Sequence, residues 1–402
     1  MSAAVPDSSI SMSPVERRAS VALASIFALR MLGLFLVLPV FALEARRYPG
    51  GDDPALVGLA MGMYGLAQAF LQMPLGIASD RWGRKRVIVG GLLVLALGSF
   101  IAAAADSLAG VLFGRALQGA GAVSAAVTAL LADQTREVVR TKAMALVGAS
   151  IGLMFALSLV LAPPLAAWLG LPGLFSITGV LALAGAAVTA WVVPPEPALH
   201  ADTERGRLAD VLAHGVLLRL NFGVFALNAV QMAMWGAVPG LLLAAHLEKA
   251  HHWWVYLPAV LASFVVMGAT VFPLERRGWL RAVLLVSIGV VALAQAGLGL
   301  AVGPAPSVWV LAVWIFVFFC GFNVLEASQP SLVSRLAPPS VRGAALGLYN
   351  TLQSVGLFAG GALGGLLLRW GGAEALFACT AALTLAWLAV SWGLPAIRGT
   401  RA

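Results

Sequence analysis

The sequence predicts an all-α integral membrane protein of twelve transmembrane helices in two pseudo-symmetric six-helix bundles. Three observations predict it. The 402 residues are 61% hydrophobic and only 10% charged, where a soluble domain carries roughly 25% charge. About twelve windows of mostly apolar residues follow one another, each long enough to cross a bilayer. The first six windows are echoed by the last six. The same composition excludes a soluble globular domain and a disordered chain, which is poor in apolar residues. Cys320 and Cys379 both lie in apolar runs, so no disulfide framework or cysteine zinc site is expected.

Taken in order, the spans are 19–43, 55–79, 87–105, 108–132, 142–167 and 173–193. Then follow 215–245, 253–274, 281–302, 308–333, 341–368 and 373–394. Residues 1–18 are polar and hold no separate apolar segment, so no cleaved signal peptide is expected. Spans one and seven are long, which predicts tilt or overhang. Only Asp106-Ser107 separates spans three and four, which makes them antiparallel neighbours. The 44 glycines suit helices that approach closely. Pro194–His214 is the one long polar stretch inside the chain. The expected organisation is therefore a tail 1–18, a bundle 19–193, a central loop 194–214, a bundle 215–394 and a tail 395–402.

The halves repeat. At an offset of 202, Arg140 meets Arg342, Trp168 meets Trp370, Gly170 meets Gly372 and Leu174-Phe175 meets Leu376-Phe377. At an offset of 195, Asp80-Arg81 and Gly83 meet Glu275-Arg276 and Gly278. An even number of spans per half gives both halves one orientation, the parallel repeat of rocking transporters. Nineteen of the 25 Lys and Arg lie on the side that holds both tails and the central loop; four lie on the other. That excess puts both termini in the cytoplasm. The +8 net charge is thus a topology signal, and no nucleic-acid partner is expected.

The sharpest motif is Gly76-Ile-Ala-Ser-Asp80-Arg81-Trp-Gly83-Arg84-Lys85-Arg86, in the turn after span two. It resembles the signature loop of the major facilitator superfamily. Gly76 and Gly83 let the turn close tightly. Asp80 is a carboxylate suited to a helix N-terminus. The resemblance implies that this helix is span eleven, near Arg342-Gly343, and that Arg84 pairs with Asp133. These are expected to be gating residues, not substrate ligands. Arg115 and Gln118, in Gly114-Arg115-Ala-Leu-Gln118-Gly119, are similar to the family's second motif. Arg115 is read either as a structural arginine tied to backbone carbonyls or as a group for coupling or anion attraction. Gly148-Ala-Ser-Ile-Gly152…Ala162-Pro163-Pro164 resembles the antiporter motif imperfectly, since Ala162 replaces a glycine. Arg30-Met-Leu-Gly-Leu-Phe-Leu-Val-Leu-Pro39 and Phe322-Asn-Val-Leu-Glu326-Ala extend the resemblance to the YajR-type branch of drug:proton antiporters. Members of that branch carry a His where this chain has Asn228, so no His relay is inferred.

Glu326 is the one acidic residue well inside a span. It is the expected proton carrier, with Arg30 at similar depth biasing it; a permanent Glu326–Arg30 lock is the structural alternative. Arg115 joins them as a proton-coupling candidate. Helical spacing places Tyr64, Gln68 and Gln72 on one stripe and Asn228, Gln231 and Trp235 on another. Asn323 shares a face with Glu326, and Tyr349 with Gln353. These residues and Gln118 are the expected cavity lining. Spans three, six, nine and twelve hold few strong polar groups and are expected to face lipid.

No Ser/His/Asp, metal or phosphate-binding constellation appears, so an enzyme is not expected. His246, His251 and His252 read as a solvated loop rather than a metal site. The expected function is proton-coupled efflux of small lipophilic or amphipathic compounds by alternating access. A proton-coupled uptake symporter of a small metabolite is the alternative. No cofactor is expected beyond the proton gradient as driving force. The expected partners are the lipid bilayer, a small-molecule substrate and protons, and the chain is expected to act as a monomer in a bacterial inner membrane.

Overall fold

Each apolar window becomes helix, because a chain in hydrocarbon must satisfy its own backbone groups. The computed structural model describes residues 11–121, 123–196, 211–277, 279–304, 306–338 and 341–394. Most of the expected central loop, including Arg205 and Arg207, and most of both tails lie outside the described residues. The same holds for Gly278, and for the side chains of Glu275, Arg276 and Arg342.

The first half comprises α1 (Pro14–Glu44), α2 (Pro54–Trp82), α3 (Arg84–Ala103), α4 (Leu108–Asp133), α5 (137–169) and α6 (171–187, continued by a π-helical turn, Val188–Val192). The second comprises α7 (Gly215–Ala244), α8 (Trp253–Arg276), α9 (Leu280–Leu300), α10 (Val308–Leu336), α11 (342–371) and α12 (373–392). Starts are set by local chemistry. Ser13 and Glu16 form a reciprocal capping box on α1. Asp53 accepts from the Ala55 N–H at 2.9 Å on α2, and Pro54 opens that helix. Ser107 caps α4.

Twelve spans appear as ten unbroken apolar helices among the described residues. Two connections have shrunk to one glycine each. Gly170 (φ 64°, ψ −171°) turns α5 into α6, and Gly372 (φ 67°, ψ −167°) turns α11 into α12. These two glycines are repeat-equivalent, so the same backbone device recurs in both halves. Within α4, helical geometry breaks at Gly121 and resumes at Ser124.

Packing repeats as the sequence does. In the first half α1 lies on the α5–α6 pair, and α3 lies on that pair and on α4; in the second, α7 lies on α11–α12, and α9 on that pair and on α10. The outward faces of α3, α6, α9 and α12 carry exposed Leu97, Val180, Leu293 and Leu385. More than half exposed, Trp82, Trp191, Trp279 and Trp392 ring the face where α1 begins and α12 ends, here the terminal face. Trp168, Trp254, Trp309 and Trp370 ring the opposite, far face. Two tryptophan belts mark the two bilayer interfaces.

Candidate functional site

The signature loop is the most densely bonded part of the first half. Gly83 takes φ 94°, a conformation that strains any residue with a Cβ. Gly76 lies against Ala125 of α4. Arg84 pairs with Asp80 at 2.8 Å, one turn away, and with Asp133 at the end of α4. Arg81 is exposed. Glu196, just past α6, accepts from the backbone N–H groups of Arg84 (2.8 Å) and Lys85 (2.7 Å). It thereby caps α3, a helix with no cap of its own. Lys85 donates to the carbonyls of Ala190 and Val193, and Arg18 to that of Val192. Those carbonyls sit where the π-helical turn ends. Glu16 accepts from the Arg136 backbone and guanidinium, joining α1 to the α4–α5 turn. Glu196 and Glu16 went unnoticed in the sequence because the partners that tie them to other helices, Arg84-Lys85 and Arg136, lie more than 100 residues away.

Arg115 is 2% exposed. It donates to the Met61 carbonyl at 3.1 Å and to Gln118 at 3.2 Å, and lies 5.3 Å over the Tyr64 ring. Gln118 donates onward to Ser99 of α3 at 2.8 Å and is fully buried. This corrects the expectation that Gln118 lines the cavity: a helix-to-helix tie absorbs its amide. Gly98 permits that tie, since a Cβ there would lie 2.5 Å from the Gln118 backbone nitrogen, while Gly119 lets α4 meet α2 at the Tyr64 carbonyl.

Arg30 and Glu326 do not meet. Arg30 donates to Tyr64 Oη at 2.5 Å and to Ser124 Oγ at 2.6 Å, both in its own half. No ion pair joins it to Glu326 among the described residues. The alternative of a Glu326–Arg30 lock is not seen, and Arg30 is not paired with Glu326 as the expected biasing partner either, because α2 and α4 supply hydroxyls nearer to Arg30 than the acid is. Glu326 Oε1 accepts from Gln353 at 3.0 Å, while its Oε2 is buried without a partner. The hydroxyl of Tyr349, one turn from Gln353, is also buried and unpartnered. Asn323 donates to Ser263 of α8 at 2.7 Å, and Asn228 returns its amide to the Val224 carbonyl. Gln68 donates to Gln72 at 3.1 Å, and Gln231 is half-buried.

Trp235 is buried, not open to a cavity. Its ring lies 5.2 Å from Tyr256 and 6.5 Å from both Phe155 and Phe319, and Phe155 contacts Phe35 at 5.1 Å. These rings join the two halves. Phe319 stands seven residues nearer the far face than Glu326, a rise of about 10 Å. The aromatic layer thus separates Glu326 from the far face. Beyond it, a cavity of about 370 Å³ lies among α1, α2, α7 and α11, with Arg46 and Asp52 in its wall.

The halves are joined on the far side. Glu44, 1% exposed, pairs with Lys249 at 2.6 Å, and Asp53 with Arg369 at 3.0 Å. Between them α2 and α11 touch backbone to backbone: a Cβ on Gly58 would collide with the Gly361 carbonyl oxygen, and one on Gly65 would lie 2.6 Å from that of Ser354. Toward the terminal face a Cβ added at Gly148, Gly268, Gly343 or Gly347 would meet nothing within 4 Å. His252 points its Nε2 at the Leu247 carbonyl, and His251 stacks on Trp254.

The Major Facilitator Superfamily model matches residues 23–361. The chain is 42% identical to the inner membrane transport protein YajR of Escherichia coli (strain K12), over 94% of this chain and 84% of that protein. It is 26% identical to the multidrug resistance protein MdtH of Proteus mirabilis (strain HI4320), over 83% of this chain and 82% of that one. Among solved structures, the nucleoside transporter NupG superposes with a TM-score of 0.70 at 15% identity, covering 95% of this chain and 99% of that one. The human organic anion transporter MFSD10 superposes with a TM-score of 0.69 at 18% identity, covering 94% and 100%. With a family model across most of its length, a near full-length relative and the matching fold, the chain belongs to the major facilitator superfamily and is a multi-pass membrane transporter, not an enzyme.

Proposed function

We propose that this chain is a proton-coupled exporter of small lipophilic or amphipathic compounds. It works by alternating access as a monomer in a bacterial inner membrane, with its terminal face in the cytoplasm. Glu326 carries the proposal. A carboxylate at that depth is costly, and an acid that can take up a proton avoids the cost. One Glu326 oxygen is held by Gln353 and the other has no partner, which suits a group that exchanges a proton.

The inter-bundle contacts support alternating access. They gather on the far side, and the glycines of α5, α8 and α11 face open space toward the terminal side, as in a state open to the cytoplasm. The excess of Lys and Arg on the terminal side supports the orientation. The name of the Proteus relative, a multidrug resistance protein, supports export. Asp80, Arg84, Asp133 and Glu196 hold the first bundle's terminal end as a unit; the gating role is a contact of Asp80 with the start of α11 in the opposite conformation.

The test is purified protein in liposomes with a trapped pH dye and an imposed proton gradient, challenged with lipophilic cations, neutral drugs and organic anions. Compound-evoked proton flux in the wild type and its loss in Glu326→Gln is the expected result. Equal flux in both would move coupling away from Glu326. Accumulation driven in the uptake direction would replace export by symport.

A further inference from the structure

We infer that the first bundle holds an oxyanion-binding site, centred on Arg30 and the start of the second segment of α4. The compounds carried therefore include amphipathic organic anions, such as carboxylates and sulfonates. This rests on the transporter reading and names the substrate chemistry of its cavity.

The first observation is uncompensated charge. Arg30 is 2% exposed in the middle of α1. Its guanidinium reaches only two hydroxyls, those of Tyr64 and Ser124, and its Nε is buried with no partner. Arg115, equally buried, lies over the Tyr64 ring, and its Nε is unpartnered too. Neither arginine has a carboxylate within ion-pair distance among the described residues. Each is costly to hold at this depth, and a buried charge without its counter-ion is incomplete. Glu326, on the other bundle, is engaged with Gln353 and does not supply that counter-ion.

The second observation is the broken helix. The segment Ser124–Asp133 starts afresh inside the bilayer, and its N-cap residue, Val123, offers no side-chain hydrogen bond. The positive end of its dipole therefore lies inside the bundle with no side-chain cap on it. Such mid-membrane half-helix starts hold anionic groups. Arg30 meets this start directly, at Ser124 Oγ. Ser124 and Ala125 are half-buried rather than sealed, which leaves this helix start accessible to a ligand. An oxyanion seated there would accept from the guanidinium and the helix amides together, with the rest of the molecule lying along the apolar wall. Arg30 and Glu326 then have different cargo, the anion on one bundle and the proton on the other.

The test uses the purified full-length protein and three probes of one shape: 2-naphthoate, 2-naphthamide and 2-naphthylmethylammonium. Binding is read by tryptophan fluorescence and by thermal shift, with sodium sulfate as a competitor at constant ionic strength. The carboxylate should bind at least tenfold more tightly than the amide or the ammonium. Arg30→Gln should remove that preference, Arg30→Lys should keep part of it, and Gln118→Ala should leave it intact. Amide or ammonium binding equal to the carboxylate in the wild type overturns the inference, whether or not the variants fold. So does a preference that survives Arg30→Gln. Stabilisation by sulfate alone, with no added effect of naphthoate, would assign the site to a small inorganic ion and overturn the organic-anion reading. Binding needs no proton, so naphthoate selectivity with no compound-evoked flux would sink the antiport reading while sustaining this one.

Discussion

At the scale of single residues, one buried amide and one half-buried carboxylate separate structure from transport. Gln118 bridges Arg115 to Ser99 and so ties α4 to α3. Replacing it with alanine should cost about 0.6–1.7 kcal/mol, the span measured for interhelical hydrogen bonds in membranes. The unfolding midpoint in detergent should fall while substrate affinity stays unchanged; a lost affinity would return Gln118 to the cavity. Glu196 caps α3 through two backbone N–H groups. Glu196→Ala should cost about 0.5–2 kcal/mol, and hydrogen exchange at Arg84 and Lys85 should quicken before that of the α3 interior. Unchanged protection there would show that the cap carries no stability. Gly83, by contrast, announced itself in the sequence, because a glycine between two charged helix ends already indicates a turn.

At the scale of elements, the spans were legible because burial in lipid demands long apolar windows, and nothing else in the chain looks like them. Spans three, six, nine and twelve were legible as the perimeter for the same reason, from their want of polar groups. The missing connections were not. A window reads composition, and Gly170 and Gly372 interrupt a helix by backbone angle without adding a polar residue. The break in α4 was hidden likewise, since the window 108–132 is one mostly apolar run and Gly121 adds no polar residue to it. Arg30 was visible as costly, yet its partners Tyr64 and Ser124 depend on how α1, α2 and α4 are rotated about their axes, which periodicity in a span apolar on every side does not determine. Gly372→Ala isolates the angle, because a methyl there meets nothing within 4 Å. It should cost about 1–3 kcal/mol and lower the unfolding midpoint. Gly289→Ala, also in open space but with ordinary helical geometry, should be neutral or stabilising.

At the scale of the whole molecule, the far side is held by two ion pairs and a backbone seam, and each can be tested by the motion it restrains. Lys249→Glu places two acids together at Glu44 and should open the far face, read as faster labelling of a cysteine introduced at Met232 in the cavity wall. Adding Glu44→Lys should restore protection; failure of that rescue would remove the pair from the latch. Neither pair was legible in the sequence, because Lys249 and Arg369 are ordinary loop cations until the fold brings them to Glu44 and Asp53. The seam itself has a consequence for descent. Where α2 meets α11 the touching surfaces are main chain, so the closure depends on the absence of side chains at Gly58, Gly62, Gly361 and Gly365. Tyr64, Gln68 and Gln72, on the same α2, take no part in those glycine contacts. A lineage could therefore exchange these polar side chains while leaving the seam untouched, and change along α2 need not cost it the contact between the halves.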